Sequence, residues 1–427
     1  MEYQLSAADA APGVRSCVIK AQGLRTSRIS FSFAWNLDDD DCARALLSSL
    51  LSNSCAKYTD ITQISRRLAR LYGASLSSSV SKTGEQQVVK IFLDFIGDRF
   101  ALGGESIALD CFTLLTDLIF DPLLGGDGLF TEQDVEREKR LLAEEIENEA
   151  NEKVVYARTR LEQEMFRDEL YSHNRLGTAQ QARALTAADV MRAYRSMLEQ
   201  AVTLVVFTGD MDCEPLLKLL EERYRGINRA PQQLETCFIQ DAGEPVYVSE
   251  TDDVKQGKLV MGFRAHMQNE DDNFYAGKVM TDMFGGNVHS KLFMNVREKM
   301  SLCYYCSARL IAKKGFILVQ SGIETENEQK ARDAILGQLK ALADGDFTDE
   351  DLKASLDSLE DMINRISDTP AELDNWYSAE VTTGRIRHPQ ELIEGFKRVT
   401  RADVTEAARH ITLDTVFMLR SNDREDA

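Results

Sequence analysis

The sequence predicts an α+β protein built from two duplicated domains, each a mostly antiparallel sheet with helices packed on one face. Three observations predict it. The chain has 427 residues, enough for two cores. The stretch Leu185-Thr186-x-Ala188-Asp189-Val190 recurs 214 residues later as Val399-Thr400-x-Ala402-Asp403-Val404, with Ala193 matched by Ala407. Each copy runs into a β-rich segment, TLVVFT from Thr203 and TVFML from Thr415. A repeat on this scale means duplicated domains rather than a solenoid. Adjacent strands interspersed with helices give α+β layers. The expected division is 1–225, a linker at 226–243 and 244–427, the two halves facing each other as a clamshell around a cavity.

Val14 to Lys20 reads as a strand, and Ile29 to Trp35 as a second with clear alternation. Asp38 to Asp41 precede a helix from about Cys42 to Ser54, where acid suits the dipole and can cap. Ala43, Leu46, Leu47, Leu50 and Leu51 make its buried stripe, while Ala45, Ser48, Ser49 and Ser52 form a face of small residues. A helix at Ile61 to Leu71 leads to a hairpin of Ser75 to Ser81 and Gln87 to Phe95, turning at Thr83-Gly84. Ile107 to Phe120 is an apolar helix stopped by Asp121-Pro122. Glu132 to about Phe166 is long, charged and helical, with a break near Asn151. A helix capped by Thr186, a strand at Val202 to Thr208 and a helix at Glu214 to Tyr224 close the first half. After the linker come strands at Val246 to Ser249 and Lys258 to Arg264. Glu270, Asp271 and Asp272 again precede a helix, Phe274 to Phe284. The second half continues with a strand at Gly315 to Ser321 and helices at Glu328 to Leu342, Asp349 to Ser367, Leu373 to Thr383 and Pro389 to Lys397.

Seventy acidic residues outnumber fifty Lys and Arg, a formal net charge of −20. Such a surface disfavours nucleic acid and anionic lipid. No uninterrupted apolar run of about 18 residues suggests a membrane helix. The opening MEYQLSAADAAPGV lacks a basic start and an apolar core, so no signal peptide is expected. The eight cysteines are scattered and read as buried thiols in a reducing compartment, which points to the cytoplasm. Cys303 and Cys306 form a lone C-x-x-C. On an ordinary strand, residues three apart face opposite sides, so a redox or metal pair is not expected there.

The most informative stretch is Phe284 to Tyr305. Gly285 and Gly286 permit a turn or a close approach, and Leu292, Phe293, Val296 and Met300 make one apolar stripe. Arg297 sits near the end of that helix, and Tyr304 at the start of the next strand. An Arg fork can hold a peptide carbonyl or carboxylate, and a Tyr hydroxyl can donate to a carbonyl oxygen gaining charge. Gly285, Gly286, Ser290, Leu292, Phe293, Val296, Arg297, Glu298, Lys299, Leu302 and Tyr304 resemble the C-terminal-half motif of the pitrilysin and mitochondrial-processing-peptidase family of zinc peptidases. The resemblance extends through both halves. It implies the metallohydrolase fold of that family, and for Arg297 and Tyr304 a place in substrate binding.

Catalytic members of that family carry H-x-x-E-H on the first long helix, two His on one helix face with a Glu as base. Aligned on the apolar stripe, those positions are Ala45, Ser48 and Ser49. No two of the five His (His173, His266, His289, His388, His410) are four apart. The resemblance puts the third ligand position at Glu145 and an accessory Glu at Glu138, seven apart on one face. Without His or Cys these cannot make a zinc site, which needs about four ligands; they read as two solvated carboxylates. No catalytic residue, no bound metal and no cofactor is therefore expected in this chain. LARLYGASLSSSV from Leu68, NEKVVYAR from Asn151 and DELYSHNRLGT from Asp168 are most similar to YmfF-type members, which lack the zinc motif. Cys303 replaces the usual Ala before the tyrosine.

The resemblance implies a non-catalytic subunit that helps form a peptide-binding chamber with an H-x-x-E-H-bearing relative. That relative, as a heterodimer partner, would hold the zinc; a self-dimer is the other arrangement. A stand-alone peptide-binding or scaffold protein is the alternative reading. No G-x-S-x-G elbow supports a serine hydrolase.

Overall fold

The computed structural model describes residues 3–236, 242–267, 273–383 and 385–422. Its strands form two sheets. The first holds β1 (Gln4–Ala11), β2 (Val14–Lys20), β3 (Thr26–Asn36), β4 (Ser75–Thr83), β5 (Gln86–Ile96) and β6 (Val202–Gly209), in the order β1-β2-β6-β3-β5-β4. The second holds β7 (Val246–Asp252), β8 (Gly257–Arg264), β9 (Cys303–Ile311), β10 (Phe316–Ile323) and β11 (Thr412–Ser421), in the order β7-β11-β8-β10-β9. Setting aside β1, the two orders are the same. In both, the last strand of the half inserts beside the first and pairs with it in parallel, while the other neighbours are antiparallel. The duplication read from the repeat at Leu185 and Val399 is thus a duplication of strand topology.

The repeat itself is a pair of helix starts. Thr186 and Thr400 each accept from the backbone N–H of an Asp three residues on, and that Asp's carboxylate accepts from the Thr N–H. This reciprocal cap satisfies two orphan donors in each copy. The helices Ala187–Glu199 and Arg401–Arg409 then lead into β6 and β11.

Alternation on β3 sends Ile29, Phe31, Phe33 and Trp35 to one face and Ser30 and Ser32 to the other. On the apolar face Phe31 stacks on Phe112 at 6.0 Å, and Phe112 meets Phe207 edge-on at 5.1 Å. The helices Asp41–Asn53, Ile107–Phe120 and Ala187–Glu199 bury their apolar stripes there.

The opposite face of each sheet is also covered, by a segment from the other half of the chain. One compact unit comprises Met1–Glu147, Asn174–Glu235 and Arg365–Arg387; the other comprises Asn148–His173, Thr236–Asn364 and His388–Ala427. In the first unit helix Pro370–Ser378 packs on β3 and β6. In the second, helix Lys153–Met165 packs on β8 and β11, with Leu161, Met165 and Phe166 against Val260, Leu318 and Phe417. The two helices occupy the same place in the order of their halves, and β8 and β11 correspond to β3 and β6. The exchange is therefore reciprocal, and no single cut in the chain separates the compact units.

Each exchanged segment is anchored by a buried carboxylate. Asp374, fully buried, accepts from Ser30 Oγ at 2.5 Å and lies 2.5 Å from Lys90 Nζ and 3.8 Å from Arg28. Glu169 pairs with the buried Lys314 and lies 3.9 Å from Arg264, which also donates to Asp414 at 2.8 Å. Stranding one partner of such a pair costs far more than the pair contributes.

Several local readings are adjusted by the structure. Asp38 to Asp41 do not cap helix Asp41–Asn53 through a side chain. Instead Asp38 and Asp41 hold the buried Arg44 at 2.6 and 3.0 Å, and Asp40 pairs with Arg192 at 2.7 Å. Strand β1 was not expected, because QLSAADAA is a largely exposed edge with little β-propensity. The linker residues Gln232, Gln233 and Glu235 are hydrogen-bonded to Asn36. Linker residues 237–241 and the acidic trio Glu270, Asp271 and Asp272 lie outside the described residues.

Candidate functional site

The small-residue face of helix Asp41–Asn53 is closed. Ala45 and Ser48 are buried, and Ser49 is half-buried. Ser48 Oγ donates to the Ala45 carbonyl at 2.8 Å, and Ser52 Oγ to the Ser48 carbonyl at 2.8 Å, so these hydroxyls are turned back onto their own helix. Glu138 is buried rather than solvated: its Oε1 accepts from Asn53 Nδ2 at 3.1 Å and from Arg137 Nε at 3.0 Å. Asn53 lies eight residues beyond Ala45 at the end of the same helix. Glu145 is exposed on the same helix, Glu132–Asn151. A methyl, two hydroxyls and an amide-bound carboxylate do not fit zinc, whose ligands are thiolates, imidazoles and free carboxylates. Among the described residues no three His, Cys, Asp or Glu gather as a metal cluster.

The stretch from Phe284 to Tyr305 is built differently. Helix Phe274–Thr281 passes into a π-helical turn, Asp282–Gly286, and a second π-helical segment follows at Leu292–Lys299. Such wide turns concentrate at functional sites. Gly285 is required here by close approach: a Cβ would lie 2.5 Å from the backbone nitrogen of Ala308 on β9. Leu292 and Val296 are fully buried and fix the second segment. Arg297 then emerges half-buried, its guanidinium 4.5 Å from the Phe293 ring and 3.6 Å from Glu298. The turn at Ser301, with φ at 51°, reverses the chain into β9. Tyr304 is 61% exposed.

The pairing of β9 with β10 slips at this point. Gly322 faces Tyr305, and the next residue, Ile323, faces Cys303, so Tyr304 is an extra residue in a β-bulge. The bulge overturns the alternation expected for Cys303 and Cys306. Both are buried on the same face. Tyr305 faces the other way, half-buried against Gly322 with Lys258 6.0 Å from its ring. Its burial pushes the phenol up to about 12. Exposed Val288, Met294 and Met300 lie in the same stretch.

An α+β protein with two copies of one strand order, a buried helix face of Ala and Ser, and a half-buried Arg and exposed Tyr on irregular backbone is metallopeptidase-like in fold, with no metal cluster among its described residues. Comparison with known proteins agrees. Residues 184–359 match the family model described as "Peptidase M16 inactive domain". The chain is 28% identical to the "Probable inactive metalloprotease YmfF" of Bacillus subtilis, over 96% of both chains. A conserved protein from Enterococcus faecalis has a TM-score of 0.88 at 26% identity, covering 99% of this chain and 100% of its own. The peptidase M16 inactive domain from Pseudomonas fluorescens has a TM-score of 0.81 at 14% identity, covering 99% and 100%, and so shares the fold. The chain is thus similar, over nearly its whole length, to a probable inactive metalloprotease and to M16-like structures.

Proposed function

We propose that this chain is the non-catalytic member of a pair whose other member, an H-x-x-E-H-bearing relative, supplies the zinc and the general base, the two forming one peptide-binding chamber. The observation that carries this reading is the contrast within one chain. The helix face aligned with the zinc motif is sealed by Ala45, Ser48 and the Asn53–Glu138 contact, while Arg297 and Tyr304 stay exposed or half-exposed on backbone that departs from regular geometry. Sealing alone would suit any inert scaffold; an exposed Tyr on a bulge and a half-buried Arg on the π-helical segment before it suit peptide contact. In this reading Arg297 holds a backbone carbonyl or carboxylate of the peptide, and Tyr304 donates to the oxygen that becomes negative during hydrolysis. The test is co-purification with a zinc-bearing relative, metal analysis of each chain, and a peptidase assay of each alone and both together. The expected result is a complex, far less than one zinc per copy of this chain, and turnover only when both are present. Peptide binding by this chain alone, with no complex, would favour the stand-alone scaffold instead.

A further inference from the structure

We propose that Cys303 and Cys306 form an oxidisable dithiol that a peroxide converts to a disulfide, locking the bulge that presents Tyr304. On a regular strand these residues would lie on opposite faces. The slip between Gly322 and Ile323 inserts Tyr304 as the extra residue and returns Cys303 to the face of Cys306. Cys303 is 9% exposed and Cys306 5% exposed, so the first is the more reachable of two adjacent sulfurs. Cys306 pairs with Ser321 and Cys303 with Ile323, two residues apart on β10, so the two thiols lie on one face of the sheet.

The surroundings divide the work between the sulfurs. The neighbouring Cys306 thiol holds the Cys303 thiol below its ordinary value, at about 7, and the Arg297 guanidinium adds to this. The same contact, with burial, raises Cys306. Burial pushes Cys17, Cys42, Cys111 and Cys213 up to about 12 and raises Cys55. Cys303 is thus the one described cysteine favoured as thiolate, the form that reacts.

The Cys303 thiolate attacks one peroxide oxygen, the O–O bond breaks, and Cys303 becomes a sulfenic acid while hydroxide leaves. The Cys306 sulfur then attacks the Cys303 sulfur, the S–OH bond breaks, and the departing hydroxide combines with the Cys306 proton as water. Overall, two thiols and one hydrogen peroxide give one disulfide and two waters. A disulfide requires close Cα atoms, so closure tightens the strand across Tyr304.

The experiment treats the full chain with hydrogen peroxide, alkylates the remaining thiols and measures the tryptic peptide 300–309, which holds no other cysteine. The expected result is loss of two mass units from that peptide and of both alkylation sites, reversed by dithiothreitol. Cys306→Ser should leave Cys303 as a sulfenic acid trapped by dimedone. Cys303→Ser should slow oxidation of the peptide at least tenfold. A pair that stays fully alkylatable while other cysteines oxidise would overturn the proposal. So would equal reactivity of the two single variants, or oxidation to separate sulfinic acids without an internal link. The wild-type mass shift needs no variant, so a variant that fails to fold leaves the test intact.

Discussion

The two sheets repeat one strand order, yet they differ at the edge where that order ends. In the first, β4 is a serine-lined strand paired with β5 in unbroken register from Ser75 to Thr83, after the ordinary α-helix Ile61–Arg70. In the second, β9 occupies the same place, but it follows a π-helical segment and carries a bulge at Tyr304. Both edges are entered through a residue with positive φ, Tyr72 at 57° and Ser301 at 51°. The scaffold is thus held in common, and at this edge the departures from regular backbone sit in the copy with the half-buried Arg297 and the exposed Tyr304. Irregularity that costs stability and recurs at one site is a better marker of function than the shared elements.

The largest effect should come from separating the halves. A chain of residues 244–427 lacks the 148–173 segment that covers Val260, Leu318 and Phe417. It should show no cooperative thermal unfolding by calorimetry. A cooperative transition for that piece alone would mean the exchanged helix is dispensable, and the two units would not be comparable through it.

Next come the anchors. Asp374→Ala removes the carboxylate that pairs Lys90, while Arg28 keeps its bidentate pair with Asp94, and Glu169→Ala removes the carboxylate that pairs the buried Lys314. Each should cost about 3–5 kcal/mol in denaturant unfolding, because an uncompensated buried charge is left behind. Replacing both Lys90 with Met and Asp374 with Leu should recover most of the loss. If one anchor matters and the other does not, the exchange is not reciprocal in energy.

Gly285→Ala probes the irregular edge itself. Its Cβ would press on Ala308 of β9, so a loss of about 1–3 kcal/mol is expected. The same substitution at Gly73, where a Cβ meets nothing, should cost mainly through its φ of 78°. Tyr304→Phe should be smallest, within about 0.5 kcal/mol, because the side chain is exposed. A large destabilisation there would make Tyr304 structural.

How much of this was legible in the sequence follows from which forces set each part. The long periodic elements, such as Ile107–Phe120 and β3, were readable because local apolar spacing decides them. The repeated Thr-x-x-Asp was readable as a match because a capping box needs those residues at that spacing. The absence of His at Ala45, Ser48 and Ser49 was readable directly, but the burial of Ala45 and Ser48 was not, because packing from elsewhere in the chain sets it. The exchange of Pro370–Ser378 and Lys153–Met165 was not, because nothing local says which sheet an amphipathic helix covers. The bulge at Tyr304 was hidden for a related reason: register is set by the partner strand, and one inserted residue inverts the faces of Cys303 and Cys306. The burial of Glu138 was not readable, because its partner Asn53 lies eighty-five residues away in sequence.

The most direct test of the proposed pairing is the turnover of the assembled pair with Tyr304→Phe in this chain. If Tyr304 donates to the developing oxyanion from the non-catalytic side, the pair should still assemble, and kcat should fall by roughly a hundredfold to a thousandfold, the cost of losing one such donor. A pair that assembles and turns over at the full rate would contradict that role.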